Sequence, residues 1–159
     1  MKFNKEQAIK ALIFQIESEL TSLVKSAKTA HAAATHEESR AEDRHDTFAI
    51  EASYLAAGQA TRVSELTRTL QEFQTYSSQG PLDWVRPGAL VTYHSEGHTS
   101  FVFFAILGGG TKITLDEIPI QVLSMKSPLG ESFLDARMGE EITFENRGIE
   151  KTCQIISIE

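Results

Sequence analysis

Cysteine is nearly missing: Cys153 is the only one in 159 residues. That excludes an intrachain disulfide and a thiolate metal cluster, and it suits a reducing compartment. Proline is missing from position 4 to position 76, and Gly58 is the only glycine in that stretch, whereas Gly80, Pro81, Pro87 and Gly88 follow soon after. Such a shift marks a boundary between a helical part and a turn-rich part. No apolar run approaches the roughly 20 residues that cross a bilayer. The opening MKFNKEQAIKALIF is interrupted by Lys10 and lacks the unbroken apolar stretch of a signal peptide. A soluble, cytoplasmic chain with no membrane partner is expected. Basic charge is short as well, with 15 Lys and Arg against 22 Asp and Glu, a net −7. Duplex DNA is bound by neutralising its phosphates, so no independent sequence-specific DNA binding is expected. Any nucleic-acid role would run through a protein partner.

What the first half has is heptad spacing. Ile9, Ile13, Ile16, Leu20, Leu23, Ala27, Ala30 and Ala34 alternate steps of four and three, as do Ala49, Ala52, Ala56, Gln59, Val63, Leu66, Leu70 and Phe73. Two such seams in one chain predict an antiparallel coiled-coil hairpin over 1–76. Pairing Ile9 with Phe73, Ile13 with Leu70, Leu20 with Val63, Ala27 with Ala56 and Ala34 with Ala49 keeps each pair of numbers summing to 82 or 83. The fold-back point is half of that, at Ala41 to Glu42. Large residues oppose large ones at the base and Ala opposes Ala toward the turn, so the hairpin should taper. Arms of about 33 residues would be roughly 50 Å long.

The second half, 77–159, reads as a small antiparallel β domain with one short helix, giving an α+β chain overall. Strand signals fall at Ala89–Tyr93, Ser100–Leu107, Lys112–Leu115, Ile120–Ser124, Glu141–Phe144 and Thr152–Ile158. Phe101-Val102-Phe103-Phe104 and Cys153-Gln154-Ile155-Ile156-Ser157-Ile158 suit half-buried strands. Ser127 as N-cap, Pro128 at the first helical position and Gly139 after Met138 bracket the helix.

The fold-back region, 37–46, holds five acids in ten residues: Glu37, Glu38, Glu42, Asp43 and Asp46. They fit a solvated turn, with Ser39 and Glu42 as a capping box and Asp46 capping a later start. They also fit a weak half-site for a hard divalent cation, since Mg²⁺ is commonly held by one or two carboxylates with waters and substrate phosphates. Arg40 and Arg44 pair with neighbouring acids or meet a partner. His31, His36 and His45 have no matching ligand set and read as surface residues. His94 and His98 flank Ser95-Glu96-Gly97, a hairpin turn rather than a helical metal pair. Gly108-Gly109-Gly110 lacks the following helix and Lys-Ser/Thr of a phosphate loop and reads as a turn. Cys153 reads as a buried structural thiol. No nucleophile triad or nucleotide fingerprint is visible, so a self-sufficient enzyme is not expected.

Several of these residues together resemble a family. Paired helices with an acidic tip precede Ser127-Pro128-Leu129-Gly130, Leu134 and Arg137-Met138-Gly139-Glu140-Glu141, and helix two carries Arg62-Val63, Glu65-Leu66 and Leu70. This combination resembles the bacterial Gre-type transcript-cleavage factors along nearly the whole chain. The resemblance implies an FKBP-like β domain that docks at the secondary channel of RNA polymerase, with Ser127, Pro128 and Leu129 as partner-binding residues. It also implies that tip carboxylates help the polymerase hold a transient Mg²⁺ and an attacking water, so that the 3′ end of backtracked RNA is cut by the polymerase itself. The chain would then be a cofactor, not a nuclease. In-line phosphoryl displacement is served by two metals about 4 Å apart, and a borrowed carboxylate can recruit the weaker one. The tip departs from the family's D-x-x-E-N-A-E-Y string. Asp43-Arg44-His45-Asp46 keeps the acid-x-x-acid spacing, offset by about one residue. Asp43 and Asp46 are therefore the expected catalytic and metal-facing pair, with Glu42 and Glu38 as rivals.

Three functions compete: cleavage stimulation, secondary-channel regulation without cleavage, and a coiled-coil adaptor or chaperone. The altered tip favours the second. The third expects an apolar tip, whereas only Ser39, Ala41 and His45 interrupt the charge between Glu37 and Asp46.

Overall fold

The computed structural model describes residues 4–37, 46–78, 80–146 and 148–159. In chain order the elements are α1 (Lys5–Glu37), α2 (Asp46–Thr75), β1 (Leu90–Ser95), β2 (His98–Ala105), β3 (Lys112–Leu115), β4 (Ile118–Ser124), α3 (Pro128–Phe133), β5 (Glu141–Asn146) and β6 (Ile149–Ile158). The fold class is α+β, a helix pair followed by a six-stranded sheet with one short helix, as the patterns predict. Two compact units emerge, one of Gln15–Leu70 and one of Met1–Phe14 with Gln71–Glu159. None of the described helices is long and apolar enough to cross a membrane.

α1 starts at a reciprocal cap. Gln7 N–H donates to Asn4 Oδ1 at 2.9 Å, and Asn4 N–H donates to Gln7 Oε1 at 2.8 Å, which satisfies two otherwise orphaned donors. In the Gln15–Leu70 unit, Ile16 and Leu66 are buried, and Leu20, Leu23, Ala27, Ala30, Ala56, Gln59, Val63 and Leu70 are half-buried. The helices are antiparallel: Arg62 meets Glu19 at 2.8 Å, and Val24 and Ala27 share a cavity wall with Ala56, Ala60 and Val63. These contacts follow the predicted register. The ion pair is half exposed, so it guides pairing more than it stabilises it.

In the other unit the strand order is β3-β4-β2-β1-β6-β5. Four of the five strand pairings are antiparallel, but β2 and β4 are parallel, with Phe101 opposite Ile120 and Ala105 opposite Ser124. The sheet is therefore mixed rather than wholly antiparallel. After β2 the chain passes over to the sheet edge as β3, and its hairpin return, β4, enters between β3 and β2 in the direction of β2.

The second half of β2, from Val102 to Ala105, is also buried on both faces, while His98 and Thr99 are exposed. Phe104 belongs to a core cluster with Val91, Met125, Phe133, Phe144, Cys153 and Ile155. Phe103 points the other way, as successive strand residues must, and stacks on Phe73 of α2 at 5.5 Å between ring centroids, with Tyr76 5.6 Å away. Both phenylalanines are fully buried. A strand covered on both sides reads as a continuous apolar run, which is what residues 101–104 are. The last turns of α2 gain a polar anchor too. The Glu72 carboxylate accepts the Ile106 N–H at 2.7 Å and the Leu107 N–H at 2.9 Å, and the Tyr76 hydroxyl donates to it.

α3 is shorter than Gly139 suggested. It stops at Phe133, because Leu134 leaves the helical region at φ −58° and ψ 133°, and Asp135 follows at a left-handed φ of 62°. Asp135 and Ala136 then exchange backbone hydrogen bonds with Val85 at 3.1 and 2.8 Å. Gly139, at φ 86°, instead turns the chain into β5, its N–H donating to Ile155 O at 2.8 Å.

Replacing Glu72 by Ala should lower stability by about 1.5 kcal/mol, since two N–H groups lose a charged acceptor; Glu72→Gln, which keeps one oxygen, should lose less. Chemical denaturation checks this, and a loss under about 0.5 kcal/mol for the Ala variant, the scale of an ordinary surface change, would remove the anchor from the account. Cys153 supplies a second check. Burial pushes its thiol up to about 11, above its unfolded value, so the native state holds a proton that the unfolded chain releases. Its contribution to stability is complete below the unfolded pKa and is lost as pH climbs from about 9 toward 11. A maleimide should leave the native protein unlabelled at neutral pH and label it in urea; rapid native labelling would contradict the burial.

Candidate functional site

Three of the expected acids, Glu38, Glu42 and Asp43, lie outside the described residues, as do Ser39, Arg40, Arg44, His45 and the fold-back point at Ala41 to Glu42. Asp46 is the first residue of α2, and only its backbone is described. What is described is the pair of helix ends that flank this segment, Glu37 of α1 and Asp46 of α2. They are joined by the eight residues 38–45. The carboxylates in and beside that segment are hard oxygen donors, the ligand type that Mg²⁺ takes. Among the described residues, no three His, Cys, Asp or Glu side chains come together as a metal site.

Ser127, Pro128 and Leu129 are placed by a set of local bonds. Ser127 is extended, at φ −83° and ψ 152°, and caps α3. Its hydroxyl donates to Ser124 O at 2.7 Å and accepts the Gly130 N–H at 3.0 Å. Pro128 at the first helical position forgoes an N–H that would have no partner there. Gly130 is obligatory, because a Cβ there would lie 2.0 Å from Ser124 O. Leu129 packs partly on the core cluster, while Pro128 is exposed. Beyond the helix, Leu134 and Met138 are 48% and 68% exposed, so this corner presents apolar surface to solvent. Both residues belong to the motifs that carry the family resemblance, but no pattern in the sequence marked them as exposed.

The minor candidates fall as expected. His94 and His98 sit on the two strands of a hairpin turned by Glu96 and Gly97, both at positive φ. In the triple glycine, Gly108 and Gly110 have φ of 72° and 92°, and Gly110 N–H donates to Val122 O at 2.9 Å. Glu140 closes the turn before β5 by accepting the Arg137 N–H at 3.0 Å.

One feature had no signal in the sequence. Within the sheet-bearing unit a cleft of about 560 Å³ is bounded by Lys5, Thr75, Tyr76, Ser77, Arg86 and Pro87, among others. Lys5 is only 4% exposed. Burial first, and then the Arg86 guanidinium, hold its ammonium below the ordinary lysine range, while Glu159 acts against them. Eighty positions separate Lys5 from Arg86, so periodicity could not bring them together.

No protein-family model matches the chain, and no curated protein does. Among solved structures it is similar to GreA factor homolog 1 (Gfh1) of Thermus thermophilus, at 17% identity and a TM-score of 0.41, over 94% of this chain and 96% of that one. It is similar to Gfh1 of Thermus aquaticus at 16% identity and a TM-score of 0.39, over 94% and 95%. The transcription elongation factor GreA/GreB from Nitrosomonas europaea gives 13% identity and a TM-score of 0.37, over 68% and 91%. Identities this low leave the function to be argued from this chain's own residues.

Proposed function

We propose that this chain is a transcription elongation factor that binds bacterial RNA polymerase at its secondary channel and stimulates the polymerase's own cleavage of backtracked RNA. The observation that carries the reading is the antiparallel helix pair whose ends, Glu37 and Asp46, flank an acid-rich connection. In the same chain Ser127-Pro128-Leu129 caps a short helix beside exposed Leu134 and Met138. The second feature is suited to hold the factor on a protein surface, and the first to present carboxylates.

In this reading Asp43 and Asp46 hold Mg²⁺ jointly with the polymerase, with Glu42 and Glu38 as neighbouring acids. The ion, when bound, offsets charge on the scissile phosphate and activates water. The chain's own contribution is to position the carboxylates. Ser127, Pro128 and Leu129 supply docking and take no part in chemistry.

A second reading, docking and channel occupancy without cleavage, is favoured by Asp43-Arg44-His45-Asp46, where the family's string is absent. Incubating the protein with stalled, backtracked polymerase separates the two. Cleavage stimulation should appear, and Asp43→Ala or Asp46→Ala should reduce it at least tenfold, about 1.4 kcal/mol of barrier, with polymerase binding unchanged. Uncut transcripts with slowed nucleotide incorporation would establish the second reading instead. A chain that does not bind polymerase at all sinks both.

A further inference from the structure

We propose that the cleft between Lys5 and Arg86 is a binding site for a phosphate monoester of a small organic molecule. This goes beyond the polymerase reading and does not depend on it. Lysine is almost never so deeply buried without charged company, and here the company includes a second cation. Glu159 brings opposite charge to Lys5, and Arg86 a second positive charge. An entering anion would offset the repulsion between the two cations.

The donors suit phosphate in particular. Arg86 offers a planar fork of N–H groups and Lys5 a compact ammonium, the two side chains that together best satisfy a group with several acceptor oxygens. The Arg86 guanidinium lies 5.2 Å from the Trp84 ring centroid, a cation–π contact that restricts its rotamers. At about 560 Å³ the cleft falls within the range of small-ligand sites and is far larger than an inorganic anion needs. Its apolar wall is preformed. The Tyr76 ring is held by its bond to Glu72 and by Phe73 and Phe103. It also lies where a side chain at residue 88 would be, since a Cβ on Gly88 would come within 2.7 Å of it. Such a wall takes an organic moiety with little reorganisation.

The test uses the full chain, isotopically labelled, and follows the Ser77 and Gly88 amides by NMR at constant ionic strength. Adenosine monophosphate and glycerol phosphate serve as probes, with inorganic phosphate and sodium chloride beside them. At least one monoester should give saturable shifts with a Kd of about 1 mM or tighter and bind more tightly than inorganic phosphate. Arg86→Gln should weaken it about tenfold while the circular dichroism and the melting temperature stay the same. Lys5→Gln should weaken it further; if that variant melts early, Arg86→Gln alone decides. Non-saturable shifts, equal response to chloride, inorganic phosphate binding as tightly as either monoester, or unaltered affinity in Arg86→Gln would each overturn the proposal.

Discussion

The stacking of Phe73 on Phe103 is the contact on which the sheet-bearing unit depends. It covers the face of β2 that the core cluster leaves open, and it does so with the last turns of α2. With Phe104 and Phe133 packed on the opposite face at 5.5 Å, β2 becomes the middle layer of a three-layer arrangement, helix ends on one side and α3 with its flanking loop on the other. A two-layer domain of this size would leave one face of its sheet wet. Here Ala8, Leu12, Phe73, Leu90 and Phe103 are all at or below 1% exposure, outside the cluster around Phe133. Burial of that extent is what a small unit needs to offset chain entropy.

The same packing explains the polar features nearby. A carboxylate at Glu72 is placed by the helix turn that carries Phe73, so it reaches the two N–H groups that follow β2. Tyr76, one turn later, is fixed from both ends, ring and hydroxyl, and becomes a wall of the cleft beside Lys5 and Arg86. An aromatic anchor, a carboxylate clamp and a charged cleft thus trace back to one helix end seated on one strand.

Much of this was legible in the sequence. Alternating four and three steps gave both helices and their register, because a heptad pattern specifies which residues must face each other. All six strands were marked by β-branched and aromatic runs between turns. The parallel pairing of β2 with β4 was not legible, since alternation says which face a residue takes and nothing about its neighbour's direction. The burial of the second half of β2 on both faces was hinted at by its unbroken apolar run. The length of α3 was misread because Gly139 looks like a helix stop, while the true stop, Leu134, is an apolar residue that no turn pattern marks. The Ser127 cap was legible and the exposure of Leu134 and Met138 was not. The Lys5 and Arg86 cleft could not be seen at all, because it is made by tertiary contact. For the acids of the connection, sequence is the ground of the assignment: Asp43 and Asp46 are chosen by spacing.

The proposed function has this acid-rich connection work inside the polymerase. A crosslinking reagent attached through Asp43→Cys tests it most directly, because the remaining thiol, Cys153, is buried and protonated at neutral pH. In complex with polymerase, crosslinks are expected to segments that surround the polymerase's catalytic Mg²⁺, and none from unsubstituted protein. Crosslinks confined to the outer surface of the enzyme, or none at all from a complex shown to form, would contradict it.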